Sequence, residues 1–124
     1  MAAEVNINLL CELTGLGREL KFIDRATDGT APTAATYNYR VLATGGTEEL
    51  LDLGDVTTIQ GIAIRAIDYD LDIDLDFVAA FDADLTVKAG ELPAFIPNPA
   101  GTVYVKNTTG VETPKYEFII WGTT

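Results

Sequence analysis

An all-β domain, an antiparallel β-sandwich or barrel of nine to ten strands with jelly-roll-like connections, is the fold the sequence predicts. Three observations predict it. Thr, Val, Ile, Tyr and Phe are frequent and helix-forming windows are few. Short alternating segments recur with Gly, Pro, Asn and Asp clusters between them. No helical pattern falls where a βαβ crossover would need it. A chain of 124 residues, 48% hydrophobic, is long enough for a single domain, 1–124, with a real core.

Taken in order, residues 4–13 alternate. Val5, Ile7, Leu9, Cys11 and Leu13 face one way, and Glu4, Asn6, Asn8 and Glu12 the other, with Leu10 the exception. The glycines of T-G-L-G, 14–17, allow a reversal, and a second strand over 19–26 completes a hairpin. Cys11 falls on the apolar side, where it reads as a small core residue; no basic neighbour marks it as a reactive thiol. Residues 27–36 form a long loop of small and polar residues, suited to a surface excursion or an arm. Thr30, Pro32 and Thr33 are its interface candidates, with Tyr37 and Tyr39 on the strand that follows. That strand covers about 37–43, with Tyr37, Tyr39 and Val41 on one face, and Gly45-Gly46 turns it. Residues 48–53 fit a helical turn or a short strand.

The stretch Arg65 to Phe77, R-A-I-D-Y-D-L-D-I-D-L-D-F, alternates without exception from Ile67. An extended strand would carry five aspartates on one face and apolar residues on the other. Yet Ile62 and Ile64 are even-numbered, whereas Leu71, Ile73 and Leu75 are odd. One strand would send the two apolar sets to opposite faces. A turn or bulge at 68–70 resolves the conflict and divides the stretch into a central strand, 61–67, and an acidic one, 71–77. Strands at 85–88, 92–96, 102–107 and 115–121 follow, with Val103 and Val105 set against Tyr104 and Lys106.

The aspartate row has three readings. Same-face neighbours on a strand lie about 6.5–7 Å apart, so a solvated acidic face is tolerable. Basic residues from elsewhere could pair with it, since no Lys or Arg occurs between Arg65 and Lys88. The third reading is Ca2+, with Asp70, Asp72, Asp74 and Asp76 as candidate ligands at D-x-D-x-D spacing. The glycine and late Glu of an EF-hand loop are missing. The aromatics Tyr37, Tyr39, Tyr104, Tyr116 and Trp121 could line a sugar-binding face, and more ordinarily are core and rim. The paired glycines fit no nucleotide loop.

Charge and residue usage narrow the function. The net charge of −11, from 19 acidic and 8 basic residues, disfavours nucleic acid and anionic membranes. No apolar run reaches membrane-spanning length, and the first residues lack the pattern of a signal peptide. One cysteine makes no internal disulfide, which fits assembly in a reducing cytoplasm. Histidine and serine are both absent, which removes Ser-His-Asp catalysis, histidine zinc sites and the commonest general base. The aspartates lie in one row instead of facing each other across a cleft, so carboxylate-pair hydrolysis is disfavoured too.

From Leu51 onward, L-D-L-G-D-V-T-T-I-Q-G-I-A-I-R-A-I-D leads into the acidic strand. Then come L-T-V-K-A-G-E-L-P-A-F, P-A-G-T-V-Y-V-K-N and the closing K-Y-E-F-I-I-W-G-T. This order of features resembles the small β-sandwich virion structural proteins of tailed bacteriophages, of the capsid decoration (cement) or tail accessory type. The resemblance implies a non-enzymatic protein without a cofactor, assembled in the host cytoplasm into the virion, with the capsid surface favoured over the tail. It implies symmetric homo-oligomers, trimers among them, and the major capsid protein or another virion protein as partner. A tail or baseplate accessory protein of the same fold and a calcium-assisted carbohydrate-binding module are the alternatives.

Overall fold

In the computed structural model, which describes residues 3–107 and 110–124, ten β-strands form three antiparallel sheets. The chain divides into two compact units, Met1–Thr33 and Ala34–Thr124.

The first unit is a hairpin of β1 (Asn6–Leu13) and β2 (Leu20–Thr27). Gly15 and Gly17 take positive φ in the connection, a conformation that glycine adopts without steric cost. Asn6 pairs with Thr27 and Leu13 with Leu20, which sets the faces. One face holds Asn6, Asn8 and Glu12 opposite Thr27, Arg25 and Lys21, with Leu10 and Ile23 between them. Lys21 reaches Glu12 at 3.4 Å, and the Thr27 hydroxyl donates to Asn6 Oδ1 at 2.7 Å. The other face holds Ile7, Leu9, Cys11 and Leu13 opposite Ala26, Asp24, Phe22 and Leu20.

The second unit is a sandwich of two four-stranded sheets. The first has the order β3 (Ala34–Val41), β10 (Lys115–Thr123), β5 (Thr58–Ala66), β8 (Ala94–Pro97). The second has the order β4 (Glu49–Leu50), β9 (Tyr104–Lys106), β6 (Leu71–Asp74), β7 (Leu85–Val87). The chain passes back and forth between the sheets, as expected of a jelly roll. Strands β5 and β10 are internal, and they show why. Ile62, Ile64 and Ala66 on β5, with Tyr116, Phe118 and Ile120 on β10, are buried at alternate positions. Leu71 and Ile73 of β6, Val103 and Val105 close the core from the second sheet. The Tyr116 hydroxyl donates to Glu49 Oε1 at 3.2 Å, and burial together with the Glu49 charge pushes its pKa up.

The chain breaks between β5 and β6 over 67–70, where the parity change predicts it. Ile67 N donates to Lys115 O at 2.9 Å as the strand leaves the first sheet. The acidic strand is shorter than the sequence suggests, ending at Asp74 instead of residue 77. The segment 48–53 contains a two-residue strand and no helical turn. Strand β3 begins at Ala34, so the loop expected over 27–36 is shorter than its composition implies. The register of β10 against β5 shifts between Trp121 and Gly122. At this irregularity the Trp121 indole covers Gly61, where an added methyl would lie 2.2 Å from Cζ2 of the ring.

Two substitutions test this packing. Phe118→Ala removes a side chain that is 1% exposed and should cost about 3–5 kcal/mol in denaturant unfolding. Gly61→Ala should displace the indole at a cost of about 1–3 kcal/mol. Because Trp121 is the only tryptophan, its fluorescence should report the shift directly.

Candidate interaction surface and the aspartate row

The aspartates do not form a solvated ladder. Asp72 and Asp74 are 4% and 1% exposed, and both faces of β6 are buried. The expectation of an acidic face turned to water is therefore corrected for Asp72 and Asp74, and the register sets Asp72 opposite Lys106 of β9. The reason is backbone chemistry: an ionised carboxylate accepts hydrogen bonds, and N–H groups at strand ends lack ladder partners. Asp68 accepts from Lys115 N at 2.8 Å and Asp70 from Ala89 N at 2.9 Å. Asp72 accepts from the Thr86 hydroxyl at 2.5 Å. Asp74 accepts from Asp76 N at 3.0 Å and Asp82 N at 2.9 Å, one on each oxygen. Asp84, which the sequence did not single out, accepts from Leu75 N at 2.7 Å.

Of the four calcium candidates, Asp74 and Asp76 share a cluster, and its third member is Asp84 instead of Asp70 or Asp72. One oxygen from each of the three lies within 4.8 Å of the others. Asp70 and Asp72 are engaged elsewhere, at Ala89 and Thr86. Within the trio, the Asp82 amide and then that of Asp76 hold the Asp74 carboxyl below the usual range. Asp76 is pushed up, first by its hydrogen bond with Asp74 and then by the charge of Asp84. The two therefore respond to acid in order. Asp76 takes its proton first and relieves like-charge repulsion; Asp74 takes its own at lower pH and gives up its amide bonds.

Among the described residues, two sheet faces present exposed apolar side chains. The first is the face of the hairpin carrying Ile7, Leu9, Cys11, Leu13, Leu20, Phe22 and Ala26. Leu9 is 51% and Phe22 58% exposed, and Cys11 is exposed as well. The expectation that Cys11 is a core residue is thus corrected: the apolar alternation is present, but the side chain is exposed. The second is the outer side of the first sandwich sheet. Strand pairing aligns Tyr37, Ile119, Ala63 and Phe95 in one row and Tyr39, Glu117 and Arg65 in the next. Tyr37, Tyr39, Phe95 and Ile119 are all exposed. A shallow groove of 310 Å³ runs between Tyr37, Ala63, Arg65, Pro93, Glu117 and Ile119.

A small polar network edges this groove. The Tyr37 hydroxyl donates to Glu117 Oε2, and Arg65 Nε donates to Glu117 Oε1 at 2.9 Å. The tyrosine hydroxyl, followed by the guanidinium, holds the Glu117 carboxyl below its ordinary range, and the same bond raises the Tyr37 pKa. Two of the five interface candidates, Tyr37 and Tyr39, therefore share one outward face. Thr30, Pro32 and Thr33 lie in the segment that ends the hairpin unit, where Thr30 N donates to Asp28 Oδ1 at 3.1 Å. Sequence reasoning missed Ile119 and Phe95. Both sit on alternating strands, but only the register places them beside Tyr37. Among the remaining aromatics, Tyr116 and Trp121 are buried, and Tyr104 is half-buried and stacks on Phe77 at 3.9 Å.

Unfolding measured across pH should show the Asp74 contribution complete above the ordinary carboxylate range and lost as pH falls through its lowered folded value. Asp74→Asn should lower stability near neutral pH, because one amide then faces an NH2 group, and should flatten the acid limb. In Tyr37→Phe the Glu117 pKa should rise toward its ordinary value, as NMR titration of the side-chain carboxyl would show. A scan against protein-family models and searches of curated proteins and of solved structures returned no match to this chain.

Proposed function

We propose that this chain is a non-enzymatic virion structural protein of a tailed bacteriophage, a capsid decoration or cement protein that stabilises the assembled head. The observation that carries the reading is the pair of exposed apolar sheet faces on a small all-β scaffold. Surface of that kind marks an interaction site in a soluble protein. The sequence offers no histidine or serine for chemistry, and the order of motifs from Leu51 resembles such virion proteins. A protein that binds only the assembled shell stabilises it by mass action, and needs a rigid frame and apolar contacts to do so.

Mass spectrometry of purified virions should find the protein in hundreds of copies per particle. Its absence sinks the proposal, and a few to tens of copies places it in the tail or baseplate. Particles lacking it should release their genome at lower temperature or pressure than complete ones. Titration with Ca2+ and a glycan panel tests the carbohydrate-binding alternative. The expected outcome is no heat of binding and no shift in melting temperature, because the Asp74 oxygens already accept backbone amides.

A further inference from the structure

We infer that the apolar face of the β1–β2 hairpin is an arm that docks on the outer face of the first sandwich sheet of a second copy of this chain. The hairpin cannot stand by its own burial. A two-stranded ribbon in water is marginal at best, and every residue of β2 is exposed. Seven of its eight residues on one face are apolar: Ile7, Leu9, Cys11, Leu13, Leu20, Phe22 and Ala26. The opposite face is mostly polar and internally paired, by Lys21 to Glu12 and Thr27 to Asn6. The ribbon is thus built to lie on something, with a defined side down.

Charge selects the surface. The docking face carries one charged residue, Asp24, opposite Leu9, and Asp24 makes no ion pair among the described residues. Arm against arm would bring two such carboxylates into one apolar interface, which is unfavourable. The chain carries a net charge of −11, so most of a second copy's surface also repels Asp24. The outer sheet face differs. Its paired rows hold Lys115 and Arg65 against the single acid Glu117, a surplus of one positive charge. Glu117 is already occupied by Tyr37 and Arg65, and Lys115 makes no ion pair among the described residues. Around these cations lie Tyr37, Ile119 and Phe95, apolar surface of the kind that the arm presents.

Size sets the symmetry. Two paired strands of eight residues extend about 26 Å, a footprint smaller than the ~800 Å² per partner of a stable pair. Donor and acceptor faces are different surfaces, so every chain can lend one arm and receive one. A two-fold exchange or a closed ring then makes the contact twice per chain. This names the homo-oligomeric partner within the virion reading, but rests on the two faces alone. A chain found in virions and monomeric in solution would defeat this inference and spare that one.

Sedimentation of the purified chain over a concentration series should show a closed oligomer, with Cys11 reacting more slowly with a thiol reagent as it forms. Phe22→Asp on the arm and Ile119→Asp on the sheet should each give monomers with unchanged β-type circular dichroism. Asn8→Asp adds the same charge to the opposite side of the arm and should leave the oligomer intact. Mixing the two monomeric variants is decisive: the first keeps its sheet face and the second its arm, so they should form one-to-one pairs. A wild-type chain that stays monomeric at every concentration overturns the inference. So does self-association of Ile119→Asp, which would mean that arms pack on arms, and so does a mixture that fails to pair.

Discussion

Hydrogen bonds from backbone amides to aspartate carboxylates hold the corners of this sandwich together. Where the chain leaves β5 for β6, and where it passes from β6 to β7, strand ends expose N–H groups that no ladder partner meets. Asp68, Asp70, Asp74 and Asp84 accept from four separate places along the chain, at Lys115, Ala89, Asp82 with Asp76, and Leu75. Without its two amide donors Asp74 could not sit at 1% exposure, nor Asp72 at 4% without the Thr86 hydroxyl, because a buried carboxylate without a partner is strongly unfavourable. The acidity of the segment is thus partly a requirement of the fold. It lets a jelly roll with short strands close its loops without helices.

The same accounting leaves two surfaces unresolved within one chain. The sandwich core is closed by Tyr116, Phe118, Ile62, Leu71 and Val105, all nearly fully buried. Tyr37, Ile119 and Phe95 on the outer sheet face are exposed instead, as are Leu9 and Phe22 on the apolar side of the hairpin. The contrast between a closed core and apolar sheet outside is the observation on which the proposed association rests. Tyr37, Arg65 and Glu117 add fixed polar direction at the border of that surface through their two hydrogen bonds.

The sequence by itself determined the all-β class, nearly every strand, the hairpin and the break at 68–70. Those follow from alternation and from turn chemistry, which are local and have a period that a single chain displays. The interior placement of Ile62, Ile64, Leu71, Ile73, Val103 and Val105 was legible for the same reason. Only the tertiary structure decided what the aspartates do and which apolar face is covered. Asp68 meets the amide of Lys115, 47 residues away, and Asp70 that of Ala89, 19 away. Alternation says that one side of a strand is acidic and the other apolar; it does not say what lies against either side. Cys11 shows the limit most plainly: its apolar pattern is that of a core residue, and burial depends on a second surface that no residue of its own strand specifies.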